Sequence, residues 1–331
     1  MSGVDNLRSA NLNGLEAPRA IQLREEAITT GLQRALGSGG KTAQAAELLA
    51  AILRPYLAQE RLDLLQPLAL LRPLARGEFS PAMAQVLPQI EQLEQEQHNL
   101  RVERATILSA IKLLVAAARE EDKSEHVRFT EQLLFRSWLD ESVFIPLAIL
   151  MGRYIRLHLN LSVTAPETRR PSEETTKVEL PPALRLSHAR LSAILAKAMR
   201  ARGQTMIAAE VVAQLLEPHL HKEDKDVLRI LGLLDSLTAS GKPGHAHDIS
   251  EWNHLEPVEQ SLQQERIALV RAVEKLAAAA KAEGADQVVE FAERLLLRLR
   301  LDEEVFYPAA LLIRDYLSFG RTNPPPAPGV S

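Results

Sequence analysis

Leu134 to Leu150 reads LFRSWLDESVFIPLAIL, and Leu296 to Leu312 reads LLRLRLDEEVFYPAALL, at a shift of 162 residues. Upstream, residues 46–60 match residues 209–223 at a shift of 163, so the register holds almost without gaps. The shift is close to half of the 331-residue chain. The sequence therefore consists of two copies of one structural unit, and we expect both copies to share a fold.

The overall composition is that of a soluble globular protein, with 46% hydrophobic and 25% charged residues. The length suits two domains of typical size, each able to bury its own core. The net charge of -4 gives no general attraction to phosphate backbones, and the basic residues are interspersed with acidic ones. We therefore expect no nucleic acid partner.

The chain contains no cysteine, which excludes disulfides, thiolate metal sites, iron–sulfur clusters and a cysteine nucleophile. Residues 1–14 lack a basic segment followed by an apolar core, so no signal peptide is expected. No apolar run approaches the roughly 18 residues that a membrane helix requires. These features predict a cytoplasmic protein without a membrane partner.

Helices are predicted along almost the whole chain, because Ala, Leu, Glu, Arg and Gln dominate and aromatic residues are only 4%. Four amphipathic helices joined by short loops in each copy indicate an all-α fold of two tandem up-down four-helix bundles. The predicted helices span residues 18–36, 42–76, 81–120 and 123–157 in the first copy and 182–202, 205–239, 256–283 and 285–319 in the second.

The boundaries of the two bundles follow from segments rich in Pro, Gly and polar residues. The first bundle is expected over residues 16–158 and the second over 182–319, with a linker at 159–181. The tail at 320–331 ends in NPPPAPGVS, which cannot continue a helix, and is expected to be disordered. The loop from Gly244 to Asp248, GHAHD, carries two histidines whose role the sequence leaves open.

Each helix places one or two polar residues on its otherwise apolar, inward face. In the last helix of the first copy this face includes Arg136 and Asp140, and the second copy repeats the pair as Arg298 and Asp302. Long side chains that snorkel at a helix boundary explain any one such residue, but explain a matched set less well. The other members are Glu25, Tyr56, Glu60 and Arg104 in the first copy and His188, His219, Glu223 and Arg266 in the second.

This arrangement resembles the hemerythrin-like (HHE cation-binding) family. That family has a histidine on the first helix, His-x-x-x-Glu on the second, Glu-His on the third, and His-x-x-x-Glu followed by an aromatic-Pro step on the fourth. The second copy reads LSHARL around His188, EPHLHKED around His219, QQERIAL around Arg266, and LLRLRLDEEVFYPAALL from Leu296. The first copy reads QLREEAI, RPYLAQE, VERATIL and LFRSWLDESVFIPLAIL at the same places.

Members of that family that bind metal hold a non-haem diiron centre between the helices, for oxygen binding or iron sensing. This chain departs from the pattern, because Arg266 and Arg298 stand where the family has its third- and fourth-helix histidines. The first copy keeps only the carboxylates Glu60 and Asp140. The metal set that the resemblance implies is therefore confined to the second copy, as His188, His219, Glu223 and Asp302.

An arginine at a ligand position removes a bond to the metal and repels the ion, because guanidinium has five donors, no acceptor and a permanent charge. It also pairs with the carboxylates that remain. We therefore predict a buried ion-pair network at each centre in place of iron. In the second copy, Arg266 and Arg298 are expected to balance Glu223 and Asp302. The first-copy network would comprise Glu25, Tyr56, Glu60, Arg104, Arg136 and Asp140.

The expected function is that of a non-enzymatic binding or scaffold module that needs no cofactor. The alternative is a non-haem iron or oxygen-binding protein that uses a site in the second bundle. A di-metal oxidase would need more histidine and carboxylate ligands than either copy offers. Outer apolar residues would either pack the copies together or bind a second copy or another protein, and we assign this role to Leu70, Leu71, Leu233 and Leu234.

Overall fold

The computed structural model describes residues 16–161, 178–200, 202–240 and 249–322, excluding the side chains of residues 60–63, 98, 240, 249 and 320–322. The described residues form helices and turns, with no strand among them, which confirms the all-α class. The contacts divide the chain into two compact units, Met1–Pro166 and Glu167–Ser331. Of the tail predicted at 320–331, residues 320–322 belong to the last helix instead, and residues 323–331 lie outside the described residues. The histidine loop Gly244 to Asp248 and most of the predicted linker also lie outside them.

The first unit is built on four long helices. Its helices are α1 (Arg19–Leu36), α2 (Gly40–Asp63), α3 (Leu65–Ala69), α4 (Leu71–Ala75), α5 (Leu87–Gln95), α6 (Gln97–Glu120), α7 (Ser124–Leu139) and α8 (Ile145–His158). A 3-10 turn at Pro81–Val86 precedes α5, and a π-helical turn at Asp140–Phe144 joins α7 to α8. Helix α1 contacts α2 and α7, and α6 also contacts α2 and α7, so these four helices form a closed ring.

The second unit repeats this ring. Its helices are α9 (Pro182–Ala198), α10 (Gly203–Asp226), α11 (Leu234–Ser240), α12 (Leu255–Ala282), α13 (Asp286–Leu301) and α14 (Tyr307–Thr322). Two 3-10 turns lie at Leu228–Leu233 and Ile249–Trp252, and a π-helical turn at Asp302–Phe306 joins α13 to α14. Helix α9 contacts α10 and α13, and α12 also contacts α10 and α13.

The inward apolar face of each ring helix forms the core, as helical periodicity requires. In the first unit, Leu49 of α2, Leu114 of α6 and Leu133 of α7 belong to one buried cluster. In the second unit, Val212 of α10, Leu276 of α12 and Leu295 of α13 belong to the corresponding cluster. Polar residues of the predicted centres share these inward faces, for example Asp140 and Asp302, which are both buried.

Prolines divide the helix that the sequence predicts at 42–76. A proline lacks an N–H group, and its ring clashes with the carbonyl of the residue four positions earlier. Helix α2 ends at Asp63, four residues before Pro67, and α3 ends at Ala69, four residues before Pro73. Pro55 is tolerated inside α2. Three helices therefore replace the predicted one.

A proline also accompanies each π-helical turn. Pro146 and Pro308 lie just after the two turns, at matched positions of the two units. The missing N–H of Pro146 leaves the carbonyl of Ser142 without its usual partner, and a widened turn absorbs this defect. Each π-helical turn begins with the aspartate of the predicted centre, Asp140 or Asp302.

A carboxylate holds the second long helix of each unit at its start. In the first unit, Glu121 accepts from the backbone N–H groups of Lys41 at 2.7 Å and Thr42 at 3.1 Å. The preceding Gly40 has a φ of +68°, and a Cβ atom there would meet Glu121 at 2.2 Å. The matched contacts in the second unit join Glu283 to the N–H groups of Gln204 and Thr205.

The prediction of an outer apolar patch at four leucines is wrong, because all four are buried: Leu70, Leu71, Leu233 and Leu234. Helix α8 packs against α3, and α14 packs against the turn at Leu228–Leu233, so the last helix of each unit covers this region. The exposed apolar side chains lie elsewhere, for example at Leu48 of α2 and Ile207 of α10. In the described part of the chain, no helix is both long and apolar enough to span a membrane.

Candidate functional site

One guanidinium contacts two carboxylates at the centre of the second unit. The Nε atom of Arg298 on α13 donates to Oδ1 of Asp302 at 2.6 Å. The Nη2 atom of Arg298 lies 3.5 Å from Oε2 of Glu223 on α10. All three side chains are buried, and those of Glu223 and Asp302 are 0% exposed. The positive charge of Arg298 is thus shared between the two carboxylates.

Two histidines lie beside this centre, and a carboxylate faces the Nδ1 atom of each. The Nδ1 atom of His219 is hydrogen-bonded to Oε2 of Glu265 at 3.3 Å. The Nδ1 atom of His188 lies 2.8 Å from Oδ1 of Asp224, although the two groups are poorly aligned for a hydrogen bond. Because a carboxylate faces Nδ1 in both rings, we assign the proton of each neutral imidazole to Nδ1. Each Nε2 atom is then an acceptor, and that of His188 lies 3.6 Å from Glu223.

Burial favours the neutral forms of these groups. Burial, and then the charge of Asp302, raises the pKa of Glu223 well above its usual value, although Arg298 opposes the shift. Burial also lowers the pKa of His188 and of His219, and Arg298 adds to this shift at His188. The resulting centre has one permanent cation, Arg298, among neutral imidazoles and a carboxyl group that retains its proton to unusually high pH.

Tyr307 is a member of this centre that the sequence analysis did not include. Its hydroxyl is buried near Glu223 without making a hydrogen bond of standard geometry. Burial, together with the carboxylates of Glu223 and Asp302, raises the pKa of Tyr307. In the sequence, the feature that points to Tyr307 is the aromatic-Pro step, in which it lies five residues after Asp302. The first unit has Ile145 at this position.

In the first unit, two arginines contact one aspartate. The Nη2 atom of Arg24 donates to Oδ1 of Asp140 at 2.8 Å, and Nε of Arg136 lies 3.3 Å from Oδ2. The guanidinium of Arg24 also lies over the ring of Phe144, 4.7 Å from its centroid. Arg24 is the second residue that the sequence analysis missed. Helical periodicity selects its neighbour Glu25, whereas α1 buries both side chains.

The other first-unit predictions have mixed outcomes. Glu25 and Tyr56 are buried, at 5% and 8% exposure, as expected of residues near the centre. Glu60 lies in α2, but its side chain is outside the described residues. The position of Arg24 corresponds to Ser187 in the second unit, and Nη1 of Arg298 is 3.5 Å from the Ser187 hydroxyl. The first unit thus has an additional guanidinium on α1, where the second unit has a serine that contacts Arg298 of α13.

The arginines of the third helices pair with residues outside the expected sets. Arg266 was expected to balance Glu223 and Asp302, but its Nη2 atom lies 2.8 Å from Oε2 of Glu303, and its side chain is 20% exposed. Arg104 is buried, and its Nη1 atom lies 3.4 Å from Oε2 of the exposed Glu141. Glu141 and Glu303 are the second residues of the two π-helical turns, one position after Asp140 and Asp302.

The residues of neither centre fit a metal ion as they stand. The second unit offers two imidazoles and two carboxylates, but Arg298 contacts both carboxylates and would repel a cation. The first unit has no histidine at its predicted centre, and Asp140 is paired with Arg24. Across residues 16–161, 178–200, 202–240 and 249–322, no group of three or more His, Asp or Glu side chains is arranged to hold a metal.

Among known proteins, no family model, no curated protein and no solved structure matches this chain.

Proposed function

We propose that this chain is a non-enzymatic, tandem hemerythrin-like protein made of two up-down four-helix bundles. The closed rings of α1, α2, α6 and α7 and of α9, α10, α12 and α13 support this arrangement. The position of His219 and Glu223 one turn apart on the second helix of the ring also supports it. The proposed family and bundle topology together account for the matched positions of the two centres.

The central groups act as structural ion pairs in this proposal, and the contacts of Arg298 carry it. A guanidinium has no lone pair for a metal and remains charged at every physiological pH. Its contacts with Glu223 and Asp302 use the carboxylates that a metal site would require. Arg24 and Arg136 occupy Asp140 in the same way. The protein would then serve as a binding or scaffold module through its surface.

The exposed face of α10 is the best candidate for such a surface. Ile207, Val211 and Leu215 follow one another at intervals of four residues and are 49%, 45% and 36% exposed. This spacing places them along one side of a helix. The stripe replaces the leucines that the sequence analysis assigned to partner binding, and it would serve a second copy or another protein.

Metal analysis tests the proposed function directly. We expect the purified protein to contain far less than one iron per chain, both as isolated and after anaerobic incubation with Fe(II) and desalting. Stoichiometric iron together with a near-ultraviolet absorption band would contradict the proposal. The Arg298→Lys variant is a suitable control, since it keeps a positive charge at the same place.

The second candidate function is iron or oxygen binding by the second unit, and one observation favours it. Protonation at Nδ1 directs the Nε2 lone pairs of His188 and His219 towards the centre, and outer carboxylates commonly orient metal-binding histidines in this way. This function requires Arg298 to leave both Glu223 and Asp302. If wild-type protein binds iron, a His219→Ala variant should lose it, whereas His221→Ala, at an exposed position of α10, should retain it.

A further inference from the structure

Several buried polar atoms at the centre of the second unit make no hydrogen bond of standard geometry within the described residues. A buried donor or acceptor without a partner costs about 1 to 3 kcal/mol, so native proteins pair nearly all of them with protein or ordered water. The atoms concerned are both ring nitrogens of His188, Nε2 of His219, Oε1 and Oε2 of Glu223, Nη2 of Arg298, Oδ2 of Asp302 and the hydroxyl of Tyr307, which lies close to Glu223.

These atoms belong to one group of side chains. The Oε2 atom of Glu223 lies 3.6 Å from Nε2 of His188 and 3.5 Å from Nη2 of Arg298, which are contacts longer than ordinary hydrogen bonds. The pKa of Tyr307 on α14 responds to the charges of Glu223 and Asp302, and that of His219 on α10 responds to the charge of Asp302, so both side chains belong to the same centre. These polar atoms therefore still require hydrogen-bond partners, which a small polar molecule beside them can supply.

The chemical character of the group selects the bridging molecule. The two Nε2 atoms are acceptors, so they need a donor, whereas Nη2 of Arg298 is a donor and needs an acceptor. A metal cation can satisfy only the acceptors, and an anion can satisfy only the donors. The charge of Arg298 is already balanced by Asp302, whose Oδ1 atom lies 2.6 Å from Nε of Arg298, so the group needs no added ion. Water donates and accepts, and two to four polar partners hold a buried water molecule.

We propose that the centre of the second unit is a binding site for ordered water, which bridges His188, His219, Glu223, Arg298 and Tyr307. The proposal rests on the metal-free centre proposed above. It is specific to the second unit, because three of these five positions differ in the first, where Glu25, Tyr56 and Ile145 replace His188, His219 and Tyr307. In addition, Arg24 stands in place of Ser187 and adds a second guanidinium directly to the aspartate.

Oxygen-17 magnetic relaxation dispersion tests this site in the full chain, because it detects water molecules that stay buried longer than the protein tumbles. We compare wild type with His219→Leu and Tyr307→Phe, which remove polar atoms from the proposed site. We expect each variant to lose dispersion amplitude equal to about one long-lived water molecule or more. His221→Leu is the matched control, since His221 is exposed on the same helix, and its amplitude should equal that of wild type.

Equal amplitudes in wild type, Tyr307→Phe and a folded His219→Leu variant would overturn the proposal. If His219→Leu does not fold, the Tyr307→Phe comparison decides, since the first unit already carries an apolar residue at that position. A crystal structure with anomalous diffraction data separates the two proposals. A metal peak at this centre would overturn both, whereas a centre with neither metal nor water density would overturn only the water site.

Discussion

Arg298 and Asp302 lie one helical turn apart, and the Nε atom of Arg298 donates to Oδ1 of Asp302 at 2.6 Å where α13 enters the π-helical turn. Both side chains are almost fully buried, at 5% and 0% exposure. The same guanidinium reaches Glu223 on α10 at 3.5 Å. One cation thus links two helices of the ring, and its removal leaves a carboxylate in the core without a partner.

Replacing Arg298 with Met should destabilise the protein by roughly 3 to 5 kcal/mol, because breaking a buried pair leaves an uncompensated charge. Urea-induced unfolding followed by circular dichroism measures the loss. Arg300→Met is the control, since Arg300 is exposed on the same helix and its loss should change the stability by no more than about 0.5 kcal/mol. Equal stability of Arg298→Met and wild type would show that the ion pair is not formed in the folded protein.

The hydrogen bonds to Glu121 predict a stability change that depends on pH. Bonds from Lys123, from the Thr42 hydroxyl and from the Lys41 backbone lower the pKa of Glu121 from 4.5 to about 2. A lowered pKa in the folded state gives stabilisation that is present above 4.5 and is lost as the pH falls towards about 2. Glu121→Gln should therefore melt at a lower temperature than wild type at neutral pH, and the difference should close near pH ~2.

Glu120→Gln is the control for this prediction. The Glu120 side chain is 60% exposed and pairs with Lys41 at the surface, where an ion pair contributes little. Its melting temperature should stay close to that of wild type at every pH. A difference between Glu121→Gln and wild type that does not vary with pH would mean that the ionisation of Glu121 is not its cause.

The all-α class and several central residues could be predicted from the sequence, because both depend on the helical period. Asp140 and Asp302 fall on the inward face that periodicity assigns to them, and both are buried. Periodicity does not predict Arg24, because it selects a single face and α1 buries two adjacent residues. Periodicity also does not predict how deeply a side chain is buried, so it gives Arg266 and Arg298 the same role. In the structure, Arg266 pairs with Glu303 near the surface.

A close helix contact in the first unit depends on Gly31. A Cβ atom at this position would lie 2.3 Å from Cδ2 of Phe129 on α7. Gly31→Ala should therefore cost about 1 to 3 kcal/mol through overpacking, despite the better helix propensity of alanine. Gly37→Ala is the control, since the nearest atom to its Cβ would be 3.6 Å away. A melting temperature of Gly31→Ala equal to or above that of wild type would show that α1 and α7 can move apart without a loss of stability.

The burial of Leu71 makes it a core residue rather than part of a binding surface. Leu71→Ala should cost about 2 to 5 kcal/mol, because it removes a fully buried side chain and leaves a cavity. Leu48→Ala should change stability by less than about 0.5 kcal/mol, since Leu48 is 59% exposed. Chemical denaturation of both variants makes the comparison. Similar stabilities of Leu71→Ala and Leu48→Ala would show that Leu71 is exposed, as the sequence predicts.

The proton on Glu223 predicts the opposite pH dependence in the second unit. Burial and the charge of Asp302 raise the pKa of Glu223 well above 4.5, so the folded state holds a proton that the unfolded chain releases. This stabilisation is complete below 4.5 and is lost as the pH rises towards the folded-state pKa. Glutamine is uncharged at every pH, so the stability of Glu223→Gln does not decrease through this ionisation as the pH rises. The free energy of unfolding of the variant should therefore increase relative to wild type between about pH 5 and pH 8.

Taking the difference between the two proteins at each pH removes, to first order, the contributions of His188 and His219, which both proteins share. Denaturant unfolding at a series of pH values gives this difference directly. Glu210→Gln, at an exposed position of the same helix, should give a difference that does not vary with pH. A flat difference for Glu223→Gln as well would mean that Glu223 ionises as readily in the folded protein as in the unfolded chain. In that case Arg298, rather than a retained proton, would balance both carboxylates.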